Sequence, residues 1–205
     1  MADTYRTIAS PCEGLYKEKM SRFLSFAHPV QTVDEAMAVV ARYKKEYFDA
    51  RHCCWAYVIG PDRAVFRSND DGEPSGTAGK PILGQINSAG LTNIVVCVVR
   101  YFGGIKLGTS GLIVAYRAAA AEALNAAAVI EQIVTSRLTV EFPYELTGDA
   151  MRVARDEGAA IVSQDYMQDT CRLTLEIRLD GLERLKNKYR LIYGIRIPAA
   201  DGQSQ

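Results

Sequence analysis

The loop DDGEPSGTAGKPI, from Asp70 to Ile82, concentrates residue types that do chemistry: three carboxylates, two hydroxyls, three glycines and a lysine. Carboxylates at this density could hold a hard cation beside a phosphate. They could instead cap the helix that follows, or pair with Lys80 and Arg100 and so fix the loop. We expect the structural roles, because a cation site needs ligands from other segments and the sequence identifies none. Pro74 and Pro81 stiffen the loop into a shaped surface.

A second glycine-rich loop, FGGIKLGTSGL, runs from Phe102 to Leu112 and leads into an alanine-rich segment that predicts a helix. The first amides of a helix lack intrahelical partners, and the helix dipole adds partial positive charge there. With Lys106 nearby, this helix start predicts a site for a phosphate or a carboxylate. The alternative is structural: the glycines form turns, and Thr109 or Ser110 caps the helix.

Spacing argues against two familiar enzyme motifs. A P-loop has a glycine, four residues, then Gly-Lys and a hydroxyl, whereas Gly79-Lys80 has Pro74 and Pro81 at the outer positions. Ser75 lacks the flanking glycines of a nucleophile elbow. The sequence therefore favours a non-catalytic protein, and no catalytic residue is predicted.

The cysteines and histidines do not suggest a reactive or metal-binding site. His52 and Cys53 are neighbours on a predicted strand, so their side chains point to opposite faces and do not form a catalytic pair. The five cysteines and two histidines lack the spacing of metal ligands. We predict no cofactor and no metal, and expect reduced, mostly buried thiols.

Charge and hydropathy exclude some classes of partner. The 24 basic and 24 acidic residues cancel over the 205 positions, so no overall field favours a nucleic acid or a membrane. The longest apolar run, Ile94 to Val99, is far shorter than the roughly 18 residues of a membrane span. The first residues lack the layout of a signal peptide. We expect a cytoplasmic protein with no membrane partner.

Apolar periodicity places the two loops between ordinary elements. It predicts a strand at SRFLSFAHPV, a helix capped by Thr32 and Glu35, a hairpin at HCCWAYVIG and RAVFRS, a short helix near Ile82 to Ser88, and a strand at NIVVCVVRYF. The unbroken apolar character of this last strand predicts that it is central and covered on both faces.

The second part of the chain has a different order of elements. From about Val129 the pattern is β-α-β-β-α-β, ending in a strand at LIYGIRIP, which is the ferredoxin-like arrangement. We therefore predict two α+β domains, over residues 1–130 and 131–205, with a boundary near Ile130 to Ser136.

Four segments carry a family resemblance. SRFLSFAHPV, RHCCWAYVIG, DDGEPSGTAGKPI and VVRYFGGIKLGTSGLIVAYRAAAAEAL together resemble the YigZ/IMPACT family, and the second part of the chain is similar to the C-terminal domain of bacterial YigZ-type members. The resemblance implies a first domain with the fold of ribosomal protein S5 domain 2, shared with domain IV of elongation factor G. It implies a ferredoxin-like second domain similar to domain V of that factor.

The resemblance also implies a site and a function. Because those relatives work on the ribosome, it implies a non-catalytic, translation-associated protein that binds RNA, the ribosome or a translation-regulatory protein. Some bacterial members are labelled proline dipeptidases, which no metal-ligand set in this sequence supports. The family's motif residues predict one anion-recognising concavity, formed by Arg51, His52, Asp70, Asp71, Glu73, Ser75, Gly76, Thr77, Gly79, Lys80, Arg100, Tyr101, Phe102, Gly103, Gly104, Lys106, Gly108, Thr109, Ser110, Gly111 and Arg117.

Two properties of this site shape the hypotheses. Tyr101 or Phe102 could stack on an unpaired base, although neighbours on a strand face opposite ways and at least one is expected in the core. The loops carry few lysines and arginines, so tight nonspecific RNA binding is not expected and no DNA specificity is predicted. Two alternatives remain: a nucleotide-dependent enzyme similar to the GHMP kinases, with Asp70 or Asp71 helping to hold Mg²⁺, and a regulator that binds only proteins.

Overall fold

A computed structural model of the chain describes residues 4–198. Within this range the chain forms two compact units, which divide between Gln132 and Ile133. Both units combine helices with antiparallel sheets, so the α+β prediction is confirmed.

The first unit is built on a five-stranded antiparallel sheet. Its strands are β2 (Cys12–Glu18), β3 (Ser21–Pro29), β4 (His52–Ile59), β5 (Val65–Asn69) and β6 (Ile94–Tyr101). They lie in the order β2-β3-β6-β4-β5. A separate pair consists of β1 (Thr4–Ile8) and β7 (Val129–Ile133). The helices are α1 (Val33–Glu46), α2 (Gly79–Ser88) and α3 (Gly108–Asn125).

The predicted central strand is β6, and it is buried on both faces as expected. Val96 and Val98 belong to one apolar cluster with residues of α2 and α3, whereas Val95, Cys97 and Val99 belong to another with residues of α1. The side chains of strand β4, beside β6, alternate between the same two clusters. The adjacent Cys53 and Cys54 consequently lie on opposite faces of the sheet, in different clusters.

Helix α1 begins where the capping-box pattern predicts. The Glu35 amide donates to Thr32 Oγ1 over 3.1 Å, and the Glu35 carboxylate accepts from the Gln31 amide over 2.7 Å. The reciprocal bond therefore reaches the residue before the cap instead of the cap itself. Helix α2 begins at Gly79, three residues before the predicted start. Asp70, in the preceding loop, accepts hydrogen bonds from the amides of Ala78 and Gly79 at this start.

The second unit contains β8 (Thr135–Pro143), α4 (Thr147–Asp156), β9 (Ala160–Tyr166), β10 (Thr170–Arg178) and α5 (Leu182–Arg190). The order β8-β10-β9 inserts β10 between the two strands that α4 connects, as in a split βαβ unit. Apolar residues of β8 and β10 pack with those of α4 and α5 on one face of the sheet, and they include Phe142, Leu173 and Tyr189.

The last predicted strand, LIYGIRIP, is reduced to a single bridge. Only Arg196 pairs with the sheet, antiparallel to Glu141 at the free edge of β8. The preceding residues form a turn, in which the Ile195 amide donates to the Ile192 carbonyl and Gly194 has a φ of +95°. The segment therefore reaches the sheet only at its end. No helix between residues 4 and 198 has both the length and the apolar character that crossing a bilayer requires.

Candidate functional site

Asp70 caps helix α2 from nine residues away. Its carboxylate accepts hydrogen bonds from the amides of Gly76 (2.8 Å), Ala78 (3.0 Å) and Gly79 (2.8 Å). Burial alone would raise the pKa of Asp70, but these three amides and the charge of Lys80 outweigh it and lower the pKa below its usual value. An internal anion therefore already binds the Ala78 and Gly79 amides at the start of α2.

Asp71 fastens the same loop to β4. Its carboxylate accepts from Lys44 Nζ over 2.5 Å and from the Cys53 amide over 2.7 Å. Its carbonyl oxygen lies 2.8 Å from His52 Nδ1. Because a carbonyl oxygen can only accept, His52 Nδ1 carries the proton, and Nε2 is an acceptor in the neutral ring.

Glu73 makes the buried ionic contact that joins the first glycine-rich loop to strand β6. Its Oε1 accepts from Arg100 Nη1 over 2.6 Å and from the Tyr116 hydroxyl over 2.8 Å. The Glu73 and Arg100 side chains are only 4% and 8% exposed. Cys54 Sγ donates to the Tyr116 hydroxyl over 3.3 Å, and burial raises the pKa of both the Cys54 thiol and the Tyr116 phenol. Of the structural alternatives, the carboxylates therefore provide both a helix cap and a pair with Arg100.

The second loop lies against the turn between β2 and β3. The Gly103 amide donates to Ser21 Oγ over 3.1 Å, and a Cβ on Gly103 would lie 2.0 Å from the Met20 carbonyl carbon. Gly104 and Gly108 have φ values of +90° and +72°, in the left-handed region that favours glycine. The backbone conformation and the close approach to Met20 are therefore enough to explain these three glycines without a ligand.

Helix α3 begins differently from the predicted capped start. It starts at Gly108, with Leu107 at the N-cap position, so Thr109 and Ser110 lie inside the first turn and neither is the N-cap. Within residues 4–198, no side chain caps this helix. The first turn of α3 consequently keeps the unpaired amides and the positive dipole end that Asp70 neutralises in α2.

This helix start opens onto a hollow of about 400 Å³, here called the first hollow. Arg100 lies in its wall, and its Nε is buried and has no hydrogen-bond partner among the described residues. The Arg100 guanidinium carbon lies 5.6 Å from the ring centre of Phe102, which is 50% exposed. The predicted residues that line this hollow are Arg51, His52, Glu73, Arg100, Phe102, Lys106, Gly108 and Thr109.

Three other predicted residues line a separate hollow of about 460 Å³, here called the second hollow. These residues are Gly76, Lys80 and Arg117. The predicted residues that line these hollows therefore divide between two hollows, and the loop at Ser75 lies between Pro74 of the first and Gly76 of the second. The remaining predicted residues line neither of these two hollows: Asp70, Asp71, Ser75, Thr77, Gly79, Tyr101, Gly103, Gly104, Ser110 and Gly111.

Tyr101 and Phe102 have different roles, as was expected for neighbours in the segment NIVVCVVRYF, although β6 itself ends at Tyr101. The Tyr101 hydroxyl donates to Asp49 over 2.7 Å, and this bond is the main cause that raises the pKa of Tyr101 to about 12. Tyr101 also packs against the apolar cluster beneath α1. Phe102 is the exposed ring in the first hollow.

Several lining residues were not predicted. Leu107 and Leu112 line the first hollow, and they carry no charge or motif that would reveal them. Gln85 and Ser88 line the second hollow together with Pro81 and Gly84. The spacing of these last four matches one face of a helix, so a helical projection from Lys80 would have found them.

Comparisons with known proteins were made for the whole chain. The model of the Impact N-terminal domain matches residues 19–124, a range that includes every predicted site residue. The chain is 42% identical over 132 residues to "IMPACT family member YvyE" of Bacillus subtilis, a match that covers 64% of this chain and 61% of that one. It is 37% identical over 161 residues to "IMPACT family member YigZ" of Escherichia coli, covering 77% of this chain and 78% of that one.

One solved structure resembles the chain over almost its whole length. This crystal structure of a hypothetical protein has a TM-score of 0.76 and 29% sequence identity, and the match covers 99% of this chain and 100% of that chain. The chain spans about three fifths of the length of the Bacillus subtilis relative.

Proposed function

The chain belongs to the IMPACT family, and from that premise we propose that it is a non-catalytic, translation-associated protein whose first hollow binds a phosphate of RNA. One observation carries the proposal: the uncapped start of α3 lines the same hollow as Arg51 and Lys106, two cations that form no salt bridge within residues 4–198. Free helix-start amides and a guanidinium are donors that bind phosphate well.

A comparison within the chain supports an anionic ligand. Helices α2 and α3 both begin at a glycine, and the amides at the start of α2 are bound by the carboxylate of Asp70. The amides at the start of α3 have no such partner among the described residues. An external anion at α3 would occupy the position that Asp70 occupies at α2.

The electrostatics of the first hollow favour a phosphate despite the acidic loop. Asp70 and Asp71 are bound by protein donors, and Glu73 is neutralised by Arg100. Arg51 and Lys106 also line this hollow, and neither takes part in a salt bridge between residues 4 and 198. The net charge available to a ligand is therefore positive. The exposed ring of Phe102 adds a surface on which an unpaired base can stack.

These contacts predict modest, salt-sensitive binding. If Arg51 and Lys106 together neutralise one phosphate of a single strand, the logarithm of the binding constant should fall with the logarithm of salt with a slope of about −0.7. The test is co-sedimentation with ribosomes and binding of RNA across a salt series, using the native chain and an Arg51→Ala/Lys106→Ala variant. Arg100 is left in place, because its removal would leave the Glu73 carboxylate buried without a cation.

A matched control removes two cations from the other face of the sheet. Lys45 lies in the last turn of α1, and Arg67 is opposite Tyr57, whose ring packs beneath α1. Lys45→Ala/Arg67→Ala therefore changes the net charge equally without altering the first hollow. The proposal predicts weaker binding only for the Arg51/Lys106 variant. Absence of binding at the lowest salt, or equal binding by both variants, would refute it, and stabilisation by ATP with Mg²⁺ would instead favour a nucleotide-dependent enzyme.

A further inference from the structure

The second hollow is a separate cationic site between α2 and α3. Lys80 and Arg117 lie on its walls, and neither forms a salt bridge in the part of the chain that the structure describes. The Ala78 and Gly79 amides at the start of α2 do not contribute here, because Asp70 binds them. The hollow therefore depends on side chains, and Gln85 and Ser88 add polar groups to it.

The two hollows are adjacent on the same two elements. Pro74 and Gly76 of one loop line the first and the second hollow, respectively, and Ser75 between them is exposed. Along α3, Thr109 lines the first hollow and Arg117 the second. These two residues are eight positions apart, which corresponds to about 12 Å along the helix axis. A ridge at Ser75 thus separates two cationic sites that one extended ligand can reach.

We propose that the second hollow binds a further phosphate of the same ligand, and that the ligand is consequently single-stranded RNA several nucleotides long. The inference rests on the proposed function of the first hollow. A polynucleotide presents a phosphate at every step, so it supplies an anion on each side of the ridge without modification. A mononucleotide occupies only one hollow. An acidic peptide would need two carboxylates at the right spacing, and it offers no base to stack on the exposed ring of Phe102.

A flexible single strand suits this surface better than a duplex. The anion-binding groups lie in two hollows on either side of a ridge, so the backbone of the ligand must bend over Ser75. A single strand can do so and can also unstack a base for Phe102, as proteins that bind single strands require. A-form duplex presents its phosphates on a stiff cylinder with its bases stacked inside.

The test measures binding of labelled uridine oligonucleotides, from a dinucleotide to about ten residues, and of uridine monophosphate, across a salt series. In the Lys80→Ala/Arg117→Ala variant we expect unchanged binding of the monophosphate. For the longest oligonucleotide, the salt slope should become shallower by about 0.7, because one phosphate contact of a single strand is lost.

A second variant tests the hollow without changing charge. A Cβ on Gly84 would have no atom within 4 Å, so Gly84→Leu places a side chain in the second hollow and remains compatible with helix α2. It should weaken binding of the oligonucleotide and leave binding of the monophosphate unchanged. Oligonucleotide binding that neither variant alters would overturn the inference, as would an equal loss for monophosphate and oligonucleotide.

The variants of the two hollows distinguish failure of the further inference from failure of the proposed function. If Arg51→Ala/Lys106→Ala abolishes binding of both ligands while the second-hollow variants have no effect, only the further inference fails. If Arg51→Ala/Lys106→Ala has no effect, or if the native chain binds neither ligand, the proposed function fails and the inference fails with it. Preference for duplex RNA of the same length would also overturn the inference.

Discussion

Replacing Arg100 with alanine tests whether the buried Glu73–Arg100 pair holds the first glycine-rich loop against strand β6. The change removes the guanidinium that lies 2.6 Å from Glu73 Oε1 and leaves a carboxylate whose side chain is only 4% exposed. Tyr116 would still donate one hydrogen bond to it. Breaking a buried ion pair from one side typically costs about 3–5 kcal/mol, because the remaining charge is desolvated and uncompensated. We expect Arg100→Ala to lower the free energy of unfolding by that amount.

The assay can report on the first unit alone. Trp55 is the only tryptophan in the chain, it lies on β4, and it is 4% exposed. Its fluorescence during urea unfolding therefore follows the first unit, and linear extrapolation gives the free energy in water. Arg51→Ala is the matched control, because it removes a cation from the same hollow at an exposed position. A surface change of this kind should stay within about 0.5 kcal/mol.

A double variant separates the ion pair from the packing of its side chains. Glu73→Gln keeps an oxygen that accepts from Tyr116, and Arg100→Met keeps an apolar stem near the ring of Phe23. Together they remove both charges, so most of the stability lost in Arg100→Ala should return. A cost below about 1 kcal/mol for Arg100→Ala, as for an exposed pair, would refute the reasoning. So would a double variant no more stable than the single one.

Two further predictions use the same fluorescence assay. Burial, and then the charge of Arg42, lower the pKa of His28, so the unfolded chain binds a proton at this site more readily than the folded chain does. The free energy of unfolding should therefore fall as the pH drops below about 6.5. His28→Asn should remove part of that fall, and a variant with the same pH profile as the native chain would contradict the assignment. Gly103→Ala should strongly destabilise the first unit, because the new Cβ would lie 2.0 Å from the Met20 backbone. Gly84→Ala meets no atom within 4 Å and should stabilise α2 by about 0.5–1 kcal/mol. Equal effects of the two changes would show that the close approach at Gly103 is not rigid.

Local patterns predicted the parts of the fold that depend on neighbouring residues. The uninterrupted apolar run of β6 predicted a strand covered on both faces, and Thr32 with Glu35 predicted the start of α1. Both signals lie within one element, so they can be read without knowing the tertiary structure. The last strand of the second unit was mispredicted because its apolar residues are interrupted by the turn at Gly194.

Local capping rules did not predict where the two helices that begin at a glycine, α2 and α3, start. Asp70 caps α2 across nine residues, which no local capping rule anticipates. Thr109 and Ser110 are good capping residues, but α3 already begins at Gly108, whose φ of +72° suits glycine. The starts of α2 and α3 then decide which faces of these helices line each hollow, so the separation of Lys80 and Arg117 from Lys106 could not be read from the sequence.

The second unit offers a different surface, and the charges on its sheet argue for placing the proposed RNA contact on the first unit. On the sheet face away from α4 and α5, Arg137 lies opposite Glu176 and Arg172 opposite Glu141, with N–O distances of 3.6 and 2.6 Å. Each of these two cations is therefore neutralised by the strand beside it. Sheets that bind RNA present exposed aromatic rings on which bases stack, and the residues of β8 and β10 on this face, from Arg137 to Glu141 and from Arg172 to Glu176, include none. Free cations and an exposed ring occur together in the first hollow, so an affinity for RNA that is lost with Arg51 and Lys106 is the expectation most consistent with both surfaces.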